Sequence, residues 1–184
     1  MSEPDRDALV LDDGEIVGAR VVDARHAGAS FEGARLVDVQ LVRCDLSGCD
    51  FSESTWQRVT LTDCRCSGIE LPQSVVRDAT FADCKLDDAN LRLARLADVH
   101  FTASVLVAAE LQGAQLERVT FDGSDLRGTD LTNVRCSEVD LRGARLDGLS
   151  GVGSLRGATV APDQLIGLAP ALAHALGLVV AVDE

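Results

Sequence analysis

Six cysteines, three histidines and 30 carboxylates are the side chains of this 184-residue chain that could do chemistry. The thiols and imidazoles suggest metal binding or nucleophilic catalysis, the carboxylates acid–base work. Their spacing argues against each. A zinc site needs four ligands converging on a tetrahedron, yet Cys44, Cys64 and Cys84 stand twenty residues apart and every cysteine falls at a recurring apolar position. They read as small buried hydrophobes with free thiols, and no metal ligand set is assigned. His26, His100 and His174 have no partner at catalytic or metal spacing, and the glycines follow a periodicity foreign to phosphate-binding loops. The expectation is a protein without catalysis, metal or cofactor.

That recurring position organises the chain. From Phe31 to Leu146 every fifth residue is large and apolar, and 20 of these 24 positions are Leu or Phe; the others are Trp56, Cys66, Val76 and Cys136. Two residues ahead of them stands a small side chain, as at Ala29, Ala34, Val39, Cys44, Cys49 and Ser54. A period of five matches neither the helical repeat near 3.6 nor the strand repeat of 2, so it specifies an architecture of its own. If both positions face inward, each pentapeptide is a short extended segment plus a corner, and four of them close a square coil of about twenty residues. Coils then stack like parallel strands, about 4.8 Å apart, into a rod on the order of 30 Å long. Glycine recurs two places after the large residue (Gly28, Gly33, Gly48, Gly68), where a corner favours positive φ. Weaker repeats begin at Ile16 and Val21, and His26 occupies a large-residue position, which makes the first coil imperfect.

The expected organisation is an irregular acidic lead-in over 1–15, an all-β solenoid over 16–160 and a small helical cap over 161–184. Pro162 can open a helix, while Pro170 is expected to break or restart it. This predicts one short helix over Gln164–Leu168, a second over Ala171–Leu176 ended by Gly177, and a short strand over Leu178–Val182. The tail residues Leu165, Ile166, Leu168, Leu172, Leu176 and Leu178 exceed what covering one coil requires, and are the expected homodimer interface.

Net charge is −13. It argues against nucleic-acid and anionic-membrane partners and favours a basic protein. Met1–Val10 lacks a leader pattern and no apolar run approaches a membrane span, so the expected compartment is the cytoplasm. Unrolled at twenty residues per coil, the face centred on Phe31, Phe51, Leu71, Leu91, Leu111 and Leu131 carries Glu32, Asp50, Glu53, Glu70, Glu110 and Asp130 against Arg92 alone. The next face, centred on Leu36 to Cys136, is nearly neutral. Asp50, Glu70, Glu110 and Asp130 fall in one column with Asn90 between them. Stacked like charges cost stability, which makes the column a candidate binding surface; the alternative is a solvated face on an acidic, soluble rod. Leu93, Val105, Val107 and Ala108 form a second, apolar anomaly, joined near the start by Val37 and Val42. Pro72, on the acidic face, is expected to remove one ladder donor.

Ala89-Asn90-Leu91 and Thr129-Asp130-Leu131 match the motif A-(D/N)-L-x-x, and the chain is identified as a member of the pentapeptide-repeat family over at least residues 29–148. That resemblance implies a right-handed quadrilateral β-helix. The tail Arg156-Gly157-Ala158-Thr159-Val160, Asp163-Gln164 and Ala173-His174-Ala175-Leu176-Gly177-Leu178, with the acidity and the unbroken solenoid, resembles the DNA-mimicking fluoroquinolone-resistance proteins, MfpA more than Qnr. The implied activity is binding to a type II topoisomerase, DNA gyrase or topoisomerase IV, as a dimer whose negative rod competes for the DNA-binding surface. The chain departs from Qnr in having no projecting loops and from MfpA in using Leu more than Phe at the centre of the repeat. The alternative is an interaction scaffold for another protein, gripping through Leu93 and Val107.

Overall fold

The computed structural model describes residues 5–6 and 8–179. Its body is a stack of parallel strands: β1 (Asp5–Arg6), β2 (Glu15–Val22), β3 (Arg35–Val42), β4 (Thr55–Thr62), β5 (Val75–Ala82), β6 (Arg95–Thr102), β7 (Gln115–Thr120), β8 (Arg135–Ser137), β9 (Val139–Asp140) and β10 (Ala158–Thr159). From β2 to β9 the register is one coil of twenty residues: Leu36 lies over Trp56, Trp56 over Val76 and Val76 over Leu96; β10 then pairs with β9 one residue short, Ala158 with Val139. The chain begins with β1 paired to Arg20 and Val21 of β2, so part of the lead-in extends the sheet.

Both apolar positions of the repeat point inward. Leu36, Val39, Leu41, Leu46, Phe51, Val59 and Leu61 are fully buried, and the small position even accommodates Ile69. Aromatic rings that fall in register stack on one another: Phe31 on Phe51 with centroids 4.8 Å apart, Phe81 on Phe101 at 4.8 Å and Phe101 on Phe121 at 5.0 Å. Each such pair contributes roughly 0.5–1.5 kcal/mol beyond the area it buries. The cysteines are free thiols, all buried except half-buried Cys136. Its hydrogen bond with Cys64, together with burial, pushes the Cys44 thiol up, and burial does the same to Cys66; raised thiols make poor nucleophiles.

Two sides of the square run as continuous strands and the other two are built on tight turns. On the turn sides the chain closes by hydrogen bonds such as Ala34 N to Phe31 O at 3.0 Å and Ala94 N to Leu91 O at 3.1 Å. Every corner takes positive φ, including many that are not glycine, among them Asp38, Glu53, Arg58, Gln73, Leu93 and Arg118. His26 is half-buried, and its Nε2 accepts the Leu9 amide at 2.9 Å. Burial holds its pKa down, so the neutral ring serves as an acceptor sealing the first coil.

The far end differs from expectation. A single helix, α1 (Pro162–Ala175), runs through Pro170, because a proline within a helix removes one amide donor without forcing the chain apart when flanking turns are held. They are held at both ends. Gln164 accepts the Ala161 amide at 2.7 Å and donates to Leu141 O at 2.6 Å and Ala144 O at 2.7 Å, tying the first turn to the last coil. Gly177, with φ 72°, closes the last turn: its amide donates to His174 O and the Leu178 amide to Ala173 O, the paired bonds of a Schellman ending. Leu178 and Val179 form no strand, and the rest of the strand expected there lies outside the described residues.

Candidate protein-binding surface

The acidic column exists as a physical ladder. Ser30, Asp50, Glu70, Asn90, Glu110, Asp130 and Ser150 pair in sequence, each one coil from the next. They are bridge residues on a turn-built side, and all five from Asp50 to Asp130 are half-buried, whereas Glu32 and Glu53 at the adjoining corners are exposed.

The members of the column do different work. Asp50 Oδ1 accepts the Ser52 amide at 2.9 Å and the Ser52 hydroxyl at 2.5 Å; Asp130 Oδ1 accepts the Thr132 amide at 2.8 Å, and its Oδ2 takes the Gln112 side chain at 2.8 Å. These aspartates therefore complete their own turns. The Ser52 donations hold Asp50 below the ordinary carboxylate range. For Asp130, burial acts upward, but Thr132, Gln112 and the nearby Arg92 outweigh it and leave the carboxyl lowered. Pro72 falls in the slot whose amide elsewhere bonds the aspartate side chain, so it removes no ladder donor, contrary to expectation. The ladder passes it intact: Glu70 N donates to Cys49 O and Leu71 N to Asn90 O. With no turn amide to receive, Glu70 instead takes the Asn90 side-chain amide at 2.6 Å.

What distinguishes this face is the shortage of cations. Among the described residues its one ion pair joins Arg92 to Glu110 at 3.3 Å. On the neighbouring face three acids are matched from coil to coil: Asp38 to Arg58 at 2.5 Å, Asp98 to Arg118 at 2.6 Å and Glu15 to Arg35 at 3.2 Å. Charges on that face largely cancel locally. On the acidic face Glu32, Asp50, Glu53, Glu70 and Asp130 keep an uncancelled field.

Of the outward apolar residues, Val37 is buried, Val42, Val105 and Val107 are half-buried, and Leu93 alone is a large exposed side chain, at 58%. Leu93 stands on the edge of the acidic face, in the corner column of Glu53, Gln73 and Gly113. Sequence reasoning had treated the acids and this leucine as rival surfaces; the coil places them side by side.

The expected tail interface divides in two. Leu168 is buried and Leu172 packs on the core, so these two cover the last coil. Leu165, Ile166, Leu176 and Leu178 are exposed, Ile166 at 79%. Between the helix and the last coil lies a mostly apolar cavity of about 410 Å³, lined by Val152, Leu155, Val160, Leu165, Leu172 and Leu176 among others.

The profile described as a pentapeptide repeat region matches residues 23–91 and 74–150. The chain belongs to the pentapeptide-repeat family. Among solved structures, this pentapeptide-repeat protein is similar to a trypsin-treated variant of QnrB1, a plasmid-mediated fluoroquinolone resistance protein, at 19% identity and a TM-score of 0.52, with 92% of this chain and 94% of that one covered. Full-length QnrB1 aligns at 21% identity and a TM-score of 0.47, over 90% and 96% of the two chains. HetL, a pentapeptide-repeat protein involved in heterocyst differentiation regulation in the cyanobacterium Nostoc, aligns at 21% identity and a TM-score of 0.31, over 78% and 90%. At these identities the likeness is one of fold. No curated protein sequence matches the chain.

Proposed function

We propose that this pentapeptide-repeat protein is a non-catalytic DNA mimic that binds a type II topoisomerase, DNA gyrase or topoisomerase IV, in the cytoplasm, and modulates it or shields it from fluoroquinolones. The observation that carries the reading is the column of Asp50, Glu70, Glu110 and Asp130, in which only Glu110 has an ion-pair partner among the described residues, Arg92, set beside a face where Asp38 and Asp98 are paired from coil to coil. A regular array of fixed negative charge on a stiff rod presents to a basic groove what a nucleic-acid backbone presents. QnrB1, whose fold the chain shares, is itself a fluoroquinolone resistance protein. The mechanism is competition: the rod occupies the basic DNA-binding surface and is displaced as salt rises.

The test removes charge without removing the turn. Asp50→Asn and Asp130→Asn keep a side-chain oxygen for the Ser52 and Thr132 amides, and Glu70→Gln and Glu110→Gln keep shape. Combined, they are expected to weaken binding to purified gyrase by at least about tenfold at low salt, with Tm nearly unchanged. Unaltered affinity would overturn the mimic and leave a scaffold for some other protein.

The same reading makes the protein a homodimer through the exposed residues of α1. Ile166 and Leu176 present apolar area to water that a two-fold contact would bury, and a double Ile166→Asp, Leu176→Asp variant is expected to sediment as a monomer where the parent is a dimer. A parent that sediments as a monomer at micromolar concentration would remove the dimer from the mechanism.

A further inference from the structure

We infer that Leu93 is the apolar anchor of the acidic face, inserting into a recess on a basic protein surface while the surrounding carboxylates engage that surface's Lys and Arg. The inference rests on the mimic reading above and names what that reading lacks, since a charge array contributes on-rate and specificity more than affinity.

Three observations carry it. Between Val17 and the terminal helix, Leu93 is the only large apolar side chain that the described residues expose. It occupies a left-handed corner, φ 58°, a conformation taken elsewhere in this chain by Gly, Asp, Asn, Gln, Glu, Arg and Ala but by no other large aliphatic residue. Leucine there is disfavoured on two counts, the backbone region and the exposed apolar surface. Finally, it lies over a glycine. A Cβ at Gly113, one coil on, would lie 2.7 Å from Leu93 Cδ2, so the leucine side chain lies along the rod over a bare glycine.

The surroundings choose the partner's chemistry. Glu53 and Glu70 lie on the same face, and its single base, Arg92, is held by Glu110. An acidic partner would be repelled before it reached Leu93, and a neutral one would not be steered to it. A basic one is drawn in, and burial of the leucine excludes water from the ion pairs around it, as in other interfaces where a central apolar contact is ringed by polar ones.

The test uses the full chain and purified DNA gyrase, with affinity measured at low and high salt for the parent, Leu93→Asn and Leu93→Met. Asparagine suits a left-handed corner, so Leu93→Asn is expected to melt no lower than the parent. Its binding should nevertheless weaken by about tenfold at both salt concentrations, with the slope of affinity against salt unchanged. Leu93→Met should bind within about twofold of the parent. If Leu93→Asn binds as the parent does while the charge-neutralised variant is weakened, the anchor is overturned and the mimic stands. A parent that does not bind gyrase at all overturns both.

Discussion

Two adjoining faces of the same square rod use carboxylates in opposite ways. On the face of Leu36 to Cys136, corner acids meet corner arginines one coil away: Asp38 with Arg58 and Asp98 with Arg118 are each doubly hydrogen-bonded, with distances of 2.5–2.8 Å. On the acidic face the equivalent corner column reads Gly33, Glu53, Gln73, Leu93, Gly113 and Asn133, without one cation. One face is strand and the other is built on turns, but the coil spacing and the positive φ at the corners are the same on both. The lesson is that the solenoid readily permits cross-coil pairing, and among the described residues the acidic face uses it only once, between Arg92 and Glu110. A face that leaves most of its acids unpaired keeps a net negative field.

The sharpest way to break that contrast is to install the missing rung. Gln73→Arg would stand one coil from Glu53, as Arg58 stands from Asp38, in a corner that arginine already tolerates at Arg43, Arg58 and Arg118. Binding to gyrase is expected to fall by several-fold to about tenfold, with Tm equal to the parent's or slightly higher, because an exposed pair adds little stability. Undiminished binding would mean that the vacancy at this corner has no role.

A smaller effect separates the two kinds of held carboxylate. Asp38 and Asp98 are lowered first by hydrogen bonds from Arg58 and Arg118, whereas Asp50 is lowered by the hydroxyl and amide of Ser52. In each case the folded value lies below the unfolded one, so each contributes stability that is present above the ordinary carboxylate pKa near 3.9 and is lost as pH falls through the lowered value. Followed by carboxyl NMR as NaCl rises from about 0.05 to 1 M, Asp38 and Asp98 should climb toward their ordinary values as the arginine charge is screened. Asp50 should not climb, because neutral donors hold it. Parallel behaviour of all three would erase the distinction between the faces.

The beat of five, with Leu or Phe at its centre and Ala, Val, Cys or Ser two places ahead, left one arrangement that buries both positions, so the coil, its twenty-residue register and the acidic column were legible in the residues alone. The terminal helix was legible in existence but not in extent. Pro170 promised a break, and only Gln164 reaching back to Leu141 and Ala144, with the Gly177 ending, keeps one helix intact. The Gln164 bonds join residues 23 and 20 positions apart and leave no local pattern to read. Pro72 failed as a signal for a related reason: which amide belongs to the ladder and which to an aspartate side chain depends on how the turn folds. Periodicity alone therefore determined which side chains share a face, because an uninterrupted repeat admits a single register. The tertiary structure decided which charges are cancelled, that Leu93 rather than Val37 or Val107 is the apolar residue left in water, and that Leu168 and Leu172 seal the rod while Ile166 and Leu176 remain uncovered. Those outcomes depend on what the neighbouring coil presents across a few ångströms, where pairing and burial are settled.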